Sequence, residues 1–290
     1  MPDLKPFIVS GLALGGVYAL SGVGLVTLFR ASGVLNFAYG AVGALSALVS
    51  WQLIDDGLPD AVAFAVGVLS AVTASVAYGG LVQPRLAHRD AAVKAAGTLG
   101  FALALLGVLI LAWSTDPRVL ALPSSTVGFD VTTAHVTLTQ VIAVGLAALG
   151  VIGMSWFLRS TLTGTTMRSL AGDRELSAIL GVRVRRIELT TWSFVGGLAG
   201  VSGILFANLV ALQAGALTFL VIASFAAGII GRFRSLTWTL VGGLVIGVVQ
   251  ACATPFASVT RYRDAAPFVL AFVALLVLDR LNAARDVRAV

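Results

Sequence analysis

Charge is what this sequence has least of. Only 11% of its 290 residues are Asp, Glu, Lys or Arg, against about a quarter in a soluble domain. With 58% hydrophobic residues and a mean hydropathy of +1.00, the deficit excludes a water-soluble globular chain and points to a polytopic membrane protein. Cysteine is nearly absent too. Cys252 stands alone inside an apolar run, which excludes an internal disulfide and a cysteine metal site. The two histidines, His88 and His135, are isolated and read as loop or interface residues rather than metal ligands. The only lysines are Lys5 and Lys94, and no G-x-x-x-x-G-K-[ST] occurs, so the chain is not itself a nucleotide hydrolase. Asp, Glu and Lys are also missing from the deep parts of the apolar runs. Ion- and proton-coupled carriers place ionisable groups there, and the absence counts against that mechanism. A pI near 10.2 does not signal nucleic acid, because the basic residues lie in short loops between apolar segments.

Long apolar runs are what the sequence has in their place. A spanning helix needs roughly 20 apolar residues. Charge-free runs of that size occur at 7–29, 31–54, 61–84, 95–115 and 136–158. Residues 189–231 hold two crossings with a turn near Gln213-Ala-Gly215, residues 235–260 make another, and a short last run lies between Asp264 and Asp279. The first run lacks a small-residue cleavage site and reads as a retained span. No internal repeat or long linker divides the chain. The expected fold is all-α: a single transmembrane bundle over 1–290, with eight or nine spans.

Lys and Arg set the orientation. With nine crossings and the 159–187 loop inside, Arg30, Arg85, Arg89, Lys94, the six arginines of 159–186, Arg232, Arg234, Arg280, Arg285 and Arg288 share the cytoplasmic side. Only Lys5, Arg118, Arg261 and Arg263 remain outside. The C-terminus is then cytoplasmic, and the acidic turn at Asp55, Asp56 and Asp60 faces outward. Small residues recur four apart at Gly11, Gly15 and Ala19, at Gly196 and Gly200, and at Gly243 and Gly247. That spacing lets helix backbones approach closely where lipid gives no hydrophobic drive.

The 159–187 loop is the longest strongly charged stretch. Asp173 suits an N-cap after Gly172, Glu175 favours the helix dipole, and Leu176, Ile179 and Leu180 make one apolar face. Gly181 sits where a left-handed residue ends a helix. These features predict a two-turn helix outside the membrane. Composition leaves two roles open for it: a headgroup anchor held by arginines, or a docking element for a soluble partner.

Resemblance adds to this reading. Glu175 and Gly181 stand in the spacing of the E-A-A-x-x-x-G cytoplasmic loop of ABC importer permeases, with Leu176 and Ser177 in place of the two alanines. The run Gly164-Thr-Thr-Met-Arg168-Ser-Leu-Ala171, Asp173-Arg174-Glu175, Gly181-Val182 and Gly196-Gly-Leu-Ala-Gly200 is similar to the branched-chain amino-acid permease family. So are Gly11 to Leu20, Asn36-Phe37-Ala-Tyr39-Gly40, and Gly228 to Gly247 followed by Tyr262-Arg-Asp264-Ala. Tyr39 occupies a position often held by histidine in that family, and Arg232-Phe-Arg234 stands where small residues are usual. The resemblance implies a permease subunit of an ABC importer, most readily one for branched-chain amino acids, in the cell inner membrane. Its partners would be a second permease, two ATPase subunits that carry the ATP and Mg, and an extracytoplasmic solute-binding protein. It assigns coupling to the ATPase to Arg168, Asp173, Arg174, Glu175, Leu176, Ile179, Leu180 and Gly181.

Pathway candidates are Asn36, Phe37, Tyr39, Gly40, Asn208 and Gln213. Gly33 and Gly40 flank a polar Asn36 at the start of an apolar run, where an interrupted helix can line a cavity. An equal alternative is that Asn36 caps a helix. Gln52, Gln140 and Gln250 are further polar residues within spans. Two alternatives stand beside the amino-acid importer: a self-sufficient secondary carrier or channel, and an ABC permease for urea, amides or other small polar or carboxylate solutes.

Overall fold

The computed structural model describes residues 4–131, 134–172, 177, 179, 181–256, 260 and 262–286. It is a helical bundle, and each apolar run holds at least one helix. α1 is Lys5–Ser32, α2 Tyr39–Asp55, α3 Asp60–Ala77, α4 Gln83–Leu86 and α5 Ala91–Trp113. α6 is Leu138–Ser160, α7 Leu162–Gly172, α8 Val184–Leu209, α9 Ala214–Ile230, α10 Leu236–Cys252 and α11 Ala266–Asp286. α1, the α3–α4 segment Asp60–Leu86, α5, α6 and α8 are each long and apolar enough to cross a membrane. Shorter apolar helices are Ala214–Ile230, Leu236–Cys252 and Ala266–Val277.

Two features were not expected from the sequence. A wider π-turn, Tyr78–Val82, joins α3 to α4, where the ring of Trp192 presses against Gly79. Beyond α5 a hairpin of β1 (Gly128–Val131) and β2 (Ala134–Thr137) pairs Asp130 with His135 across the strands. Its end is also the start of α6: Thr137 and Gln140 form a reciprocal capping box.

α1 is the axis of the bundle. A helix apolar on every side is one that is buried on every side, and α1 is buried almost continuously from Gly15 to Leu28. It packs against α10, α6, α8 and α9. Its glycines set the separations. A methyl group on Gly15 would lie 2.7 Å from the carbonyl oxygen of Gly243, and one on Gly11 2.7 Å from the Cα of Val248. Gly243 and Gly247 look back at Ala19, Gly15 and Gly11. The two small-residue stripes read from the sequence are therefore opposite sides of one seam. Gly196 and Gly200 of α8 meet Ala71 and Ser75 of α3 in the same manner.

Candidate functional site

At the end bearing the 159–187 loop, Thr161 leaves α6 in extended conformation, and its Oγ1 accepts a hydrogen bond from Gly164 N at 2.9 Å. That caps α7, a helix the sequence reading did not separate from the loop. Met167 and Leu170 are buried, and Met167 joins Val23 and Val26 of α1 and Leu158 of α6 in one cluster. The loop thus begins with a helix seated on the bundle's axis. Arg168 lies within α7.

Asp173, Arg174, Glu175, Leu176 and Leu180 lie outside the described residues. Ser177 and Ile179 have helical backbone, Gly181 has φ +85°, and Val182 N donates to Ser177 O at 3.1 Å. A left-handed glycine followed by this six-to-one hydrogen bond is a Schellman closure, the helix end expected at Gly181. Ile179 is 81% exposed, an apolar side chain projecting from a polar loop. Glu188, at the margin of the loop by sequence, is buried in the second turn of α8.

The segment 33–38 lies at the same end. Asn36 is buried, and its Oδ1 accepts from Ala38 N at 3.0 Å, closing a local turn just before α2. Thr98 of α5 clamps the segment, donating to Leu35 O at 2.8 Å and accepting from Phe37 N at 3.2 Å. The Phe37 ring lies tilted against Phe225 of α9 with centroids 4.8 Å apart, and the ring chain continues through Phe233 to Phe29. Tyr39 is fully buried between Gly24 of α1 and Ser202 of α8, and Gly40 lies against the Leu217 and Thr218 carbonyls. These four residues stand in helix packing, and none of them lines the cavity described below.

Asn208 and Gln213 are at the opposite end, where they hold the 114–122 segment. Asn208 donates to Leu120 O at 2.8 Å and Gln213 to Thr115 O at 3.1 Å. Arg118 and Leu212 exchange backbone hydrogen bonds, while the Arg118 guanidinium lies 4.2 Å from the centre of the Trp51 ring. Leu120, Leu122 and Leu212 are buried beneath. The sequence candidates therefore form two groups at two ends rather than one site.

Between them, in the half facing the hairpin, is a cavity of about 770 Å³. Small-molecule sites typically enclose roughly 300–1,000 Å³. The halves of α1, α8, α9 and α10 farther from the 159–187 loop, with Gln140 of α6 and the start of α11, form its wall. Tyr18 crosses its base, donating to Gln250 Oε1 at 2.8 Å, with the Phe206 ring 6.3 Å away. Arg263 stands at the rim. Gln140 and Gln250 were visible in the sequence as polar residues inside apolar runs; Tyr18, Phe206 and Arg263 were not. A tyrosine in a packed helix gives no signal until its partner is known.

Residues 7–278 match the model of a family described as branched-chain amino acid transport system / permease component. The chain belongs to this family. It is 26% identical to the high-affinity branched-chain amino acid transport system permease protein LivH of Escherichia coli, over 93% of this chain and 92% of that one. It is 24% identical to BraD, a permease protein of the same description in Pseudomonas aeruginosa, over 95% of each chain. A probable branched-chain amino acid transport permease protein of Methanocaldococcus jannaschii is 26% identical over 86% of this chain and 81% of its own. As a permease the chain is a multi-pass membrane protein and a transport subunit.

Proposed function

We propose that this chain is the membrane-spanning permease subunit of an ABC importer for branched-chain amino acids, crossing the cell inner membrane nine times with its 159–187 loop in the cytoplasm. It pairs with a second, homologous permease chain. Two ATPase subunits dock beneath, and an extracytoplasmic binding protein delivers the solute above. The substrate class follows the relatives' own descriptions. The observation that carries the coupling role is the closed helix end at Gly181 with Ile179 exposed beside it. A headgroup anchor needs arginines and not an ordered cap; a docking element needs its apolar face fixed in place. Leu176, Ile179 and Leu180 form that face, Asp173 and Glu175 favour its N-terminus, and Arg168 and Arg174 supply charge to the ATPase surface.

Gly181→Val tests this reading. A β-branched residue at φ +85° costs about 1–2 kcal/mol, and a two-turn helix has little stability in reserve. Open space surrounds the Gly181 Cβ position, so the spans are untouched and the protein reaches normal membrane levels. The ATPase subunit is lost on co-purification and leucine uptake fails. Normal uptake by both Gly181→Val and Glu175→Arg makes the loop a headgroup anchor only.

A further inference from the structure

The seam between α3 and α8 is antiparallel: Gly200 meets Val68, Gly196 meets Val72 and Ser75, and the Trp192 ring meets Gly79. Ser75 Oγ ties it together, donating to Trp192 O at 2.8 Å. Ala71, Ser75, Gly79 and Gln83 are buried at a spacing of four. Gln83 therefore continues the stripe that faces α8, one turn beyond Trp192 toward the 159–187 loop. Both side chains are enclosed, Trp192 at 1% exposure and Gln83 at 3%. Yet Trp192 Nε1–H has no acceptor and Gln83 Oε1 no donor among the described residues, and residues 60–113 and 181–209 are all described. A buried donor and a buried acceptor left open each cost stability. The indole N–H only donates and the amide oxygen only accepts, so each is what the other lacks.

Two further features place a joint here. The backbone leading to Gln83 is the π-turn Tyr78–Val82, whose Tyr78 ring lies 5.2 Å from the Trp192 ring. Single widened turns of this kind recur at functional sites and at kinks. Only Val182 and Arg183 separate the left-handed Gly181 from the start of α8, so a push on the loop is delivered along α8. We propose that Trp192 and Gln83 are a two-state latch that passes movement of the 159–187 loop into the spans. The inference rests on the coupling role proposed above for that loop and names the residues that carry it onward. In this structure the indole is held over Gly79 and the latch is open. A slide of α8 along α3 by a single residue's rise, ~1.5 Å, brings the Trp192 N–H toward the Gln83 carbonyl, and the π-turn yields to admit it. Helix shifts of about 1–2 Å are the ordinary scale of such switches. The two registers are discrete because one leaves both atoms open and the other closes both, and ATPase docking biases the choice.

Leucine uptake by the assembled importer, in membranes, tests this. Gln83→Met and Trp192→Phe each remove one polar partner and keep most of the apolar bulk. Each alone, and the two together, lower uptake by the same factor of about ten, because all three remove the same closed state of the latch. The melting temperature of detergent-purified Gln83→Met does not fall, since an open buried acceptor is gone, and the ATPase subunit co-purifies undiminished. Losses that multiply to about a hundredfold in the double variant, or uptake unchanged by Gln83→Met, overturn the latch. A lock across the seam gives a second reading that does not depend on how Trp192→Phe folds. In a Cys252→Ser background, which removes the native thiol, Val72→Cys is paired with Gly197→Cys. A methyl group on Gly197 would lie 3.8 Å from Val72 Cγ2, within reach of a disulfide. Oxidation stops uptake with the ATPase subunit still bound, and reduction restores it. Uptake that persists with the disulfide formed removes the slide and the latch with it. Absence of leucine uptake by the unmodified importer overturns the transport reading itself, a result distinct from loss in the variants alone.

Discussion

Two adjacent residues of the turn between α9 and α10 sit where glycine is usual: Arg232 at φ +53° and Phe233 at φ +50°. The left-handed region costs an L-residue about 1–2 kcal/mol. Here the resemblance marked Arg232-Phe-Arg234 as a departure from small residues, and the backbone gives the physical reason small residues suit the place. The two side chains differ in what they return. Arg232 projects outward, whereas the Phe233 ring lies 5.1 Å from Phe29, 6.1 Å from Phe225, and against Gly228. Arg232→Gly therefore raises the stability of the detergent-purified protein by about 1 kcal/mol, read as a higher melting temperature. Phe233→Gly relieves the same strain but loses a packed ring, a deletion of the kind that costs about 3–5 kcal/mol, and lowers it. Equal shifts of the same sign in both variants contradict this division. Composition located the turn; only the coordinates separate the strained residue that is packed from the one that is not.

At the scale of elements, apolar run length located the helices but not all their ends: α2 starts at Tyr39 within the run 31–54, and α10 ends at Cys252 within the run 235–260. The break between α8 and α9 came at Val210–Gln213, close to the expected Gln213–Gly215. What run length cannot show is a short helix such as α7, or which element α1 chooses as neighbour. The glycine spacing held that second answer in part, since Gly11, Gly15, Gly243 and Gly247 proved to face one another. Their contact predicts an asymmetry among glycines. A valine at Gly247 drives its side chain into the Gly11 and Gly15 backbone, so Gly247→Val separates α1 from α10 and lowers folded yield. Gly107 in α5 has nothing near its Cβ position, and Gly107→Ala leaves yield and melting temperature as they are. Thermal unfolding of both variants in detergent decides it, and a tolerated Gly247→Val removes the seam from the account.

For the whole molecule, the decisive sequence quantity was the placement of Lys and Arg rather than their number. Charge asymmetry assigns the 159–187 loop, Arg30 and the Arg232–Arg234 turn to one side. The fold independently gathers them at one end: Arg30 Nη1 donates to Arg234 O at 3.2 Å, and Met167, Leu158 and Phe233 pack in one cluster. The cavity was less legible, because its lining is assembled from six helices distant in sequence. The shared end makes orientation testable as a unit. In the Cys252→Ser background, cysteines at Ser160 and Arg183, both exposed, stay unlabelled when an impermeant thiol reagent is added to intact cells. They label after permeabilisation. A cysteine at Asp56, exposed in the turn after α2, labels from outside at once. Because Ser160 and Arg183 flank the loop while Asp56 lies beyond an odd number of crossings from both, an inverted fold exchanges the three responses together. Labelling of Ser160→Cys and Arg183→Cys in intact cells, with Asp56→Cys silent, places the loop outside, where no cytoplasmic ATPase reaches it.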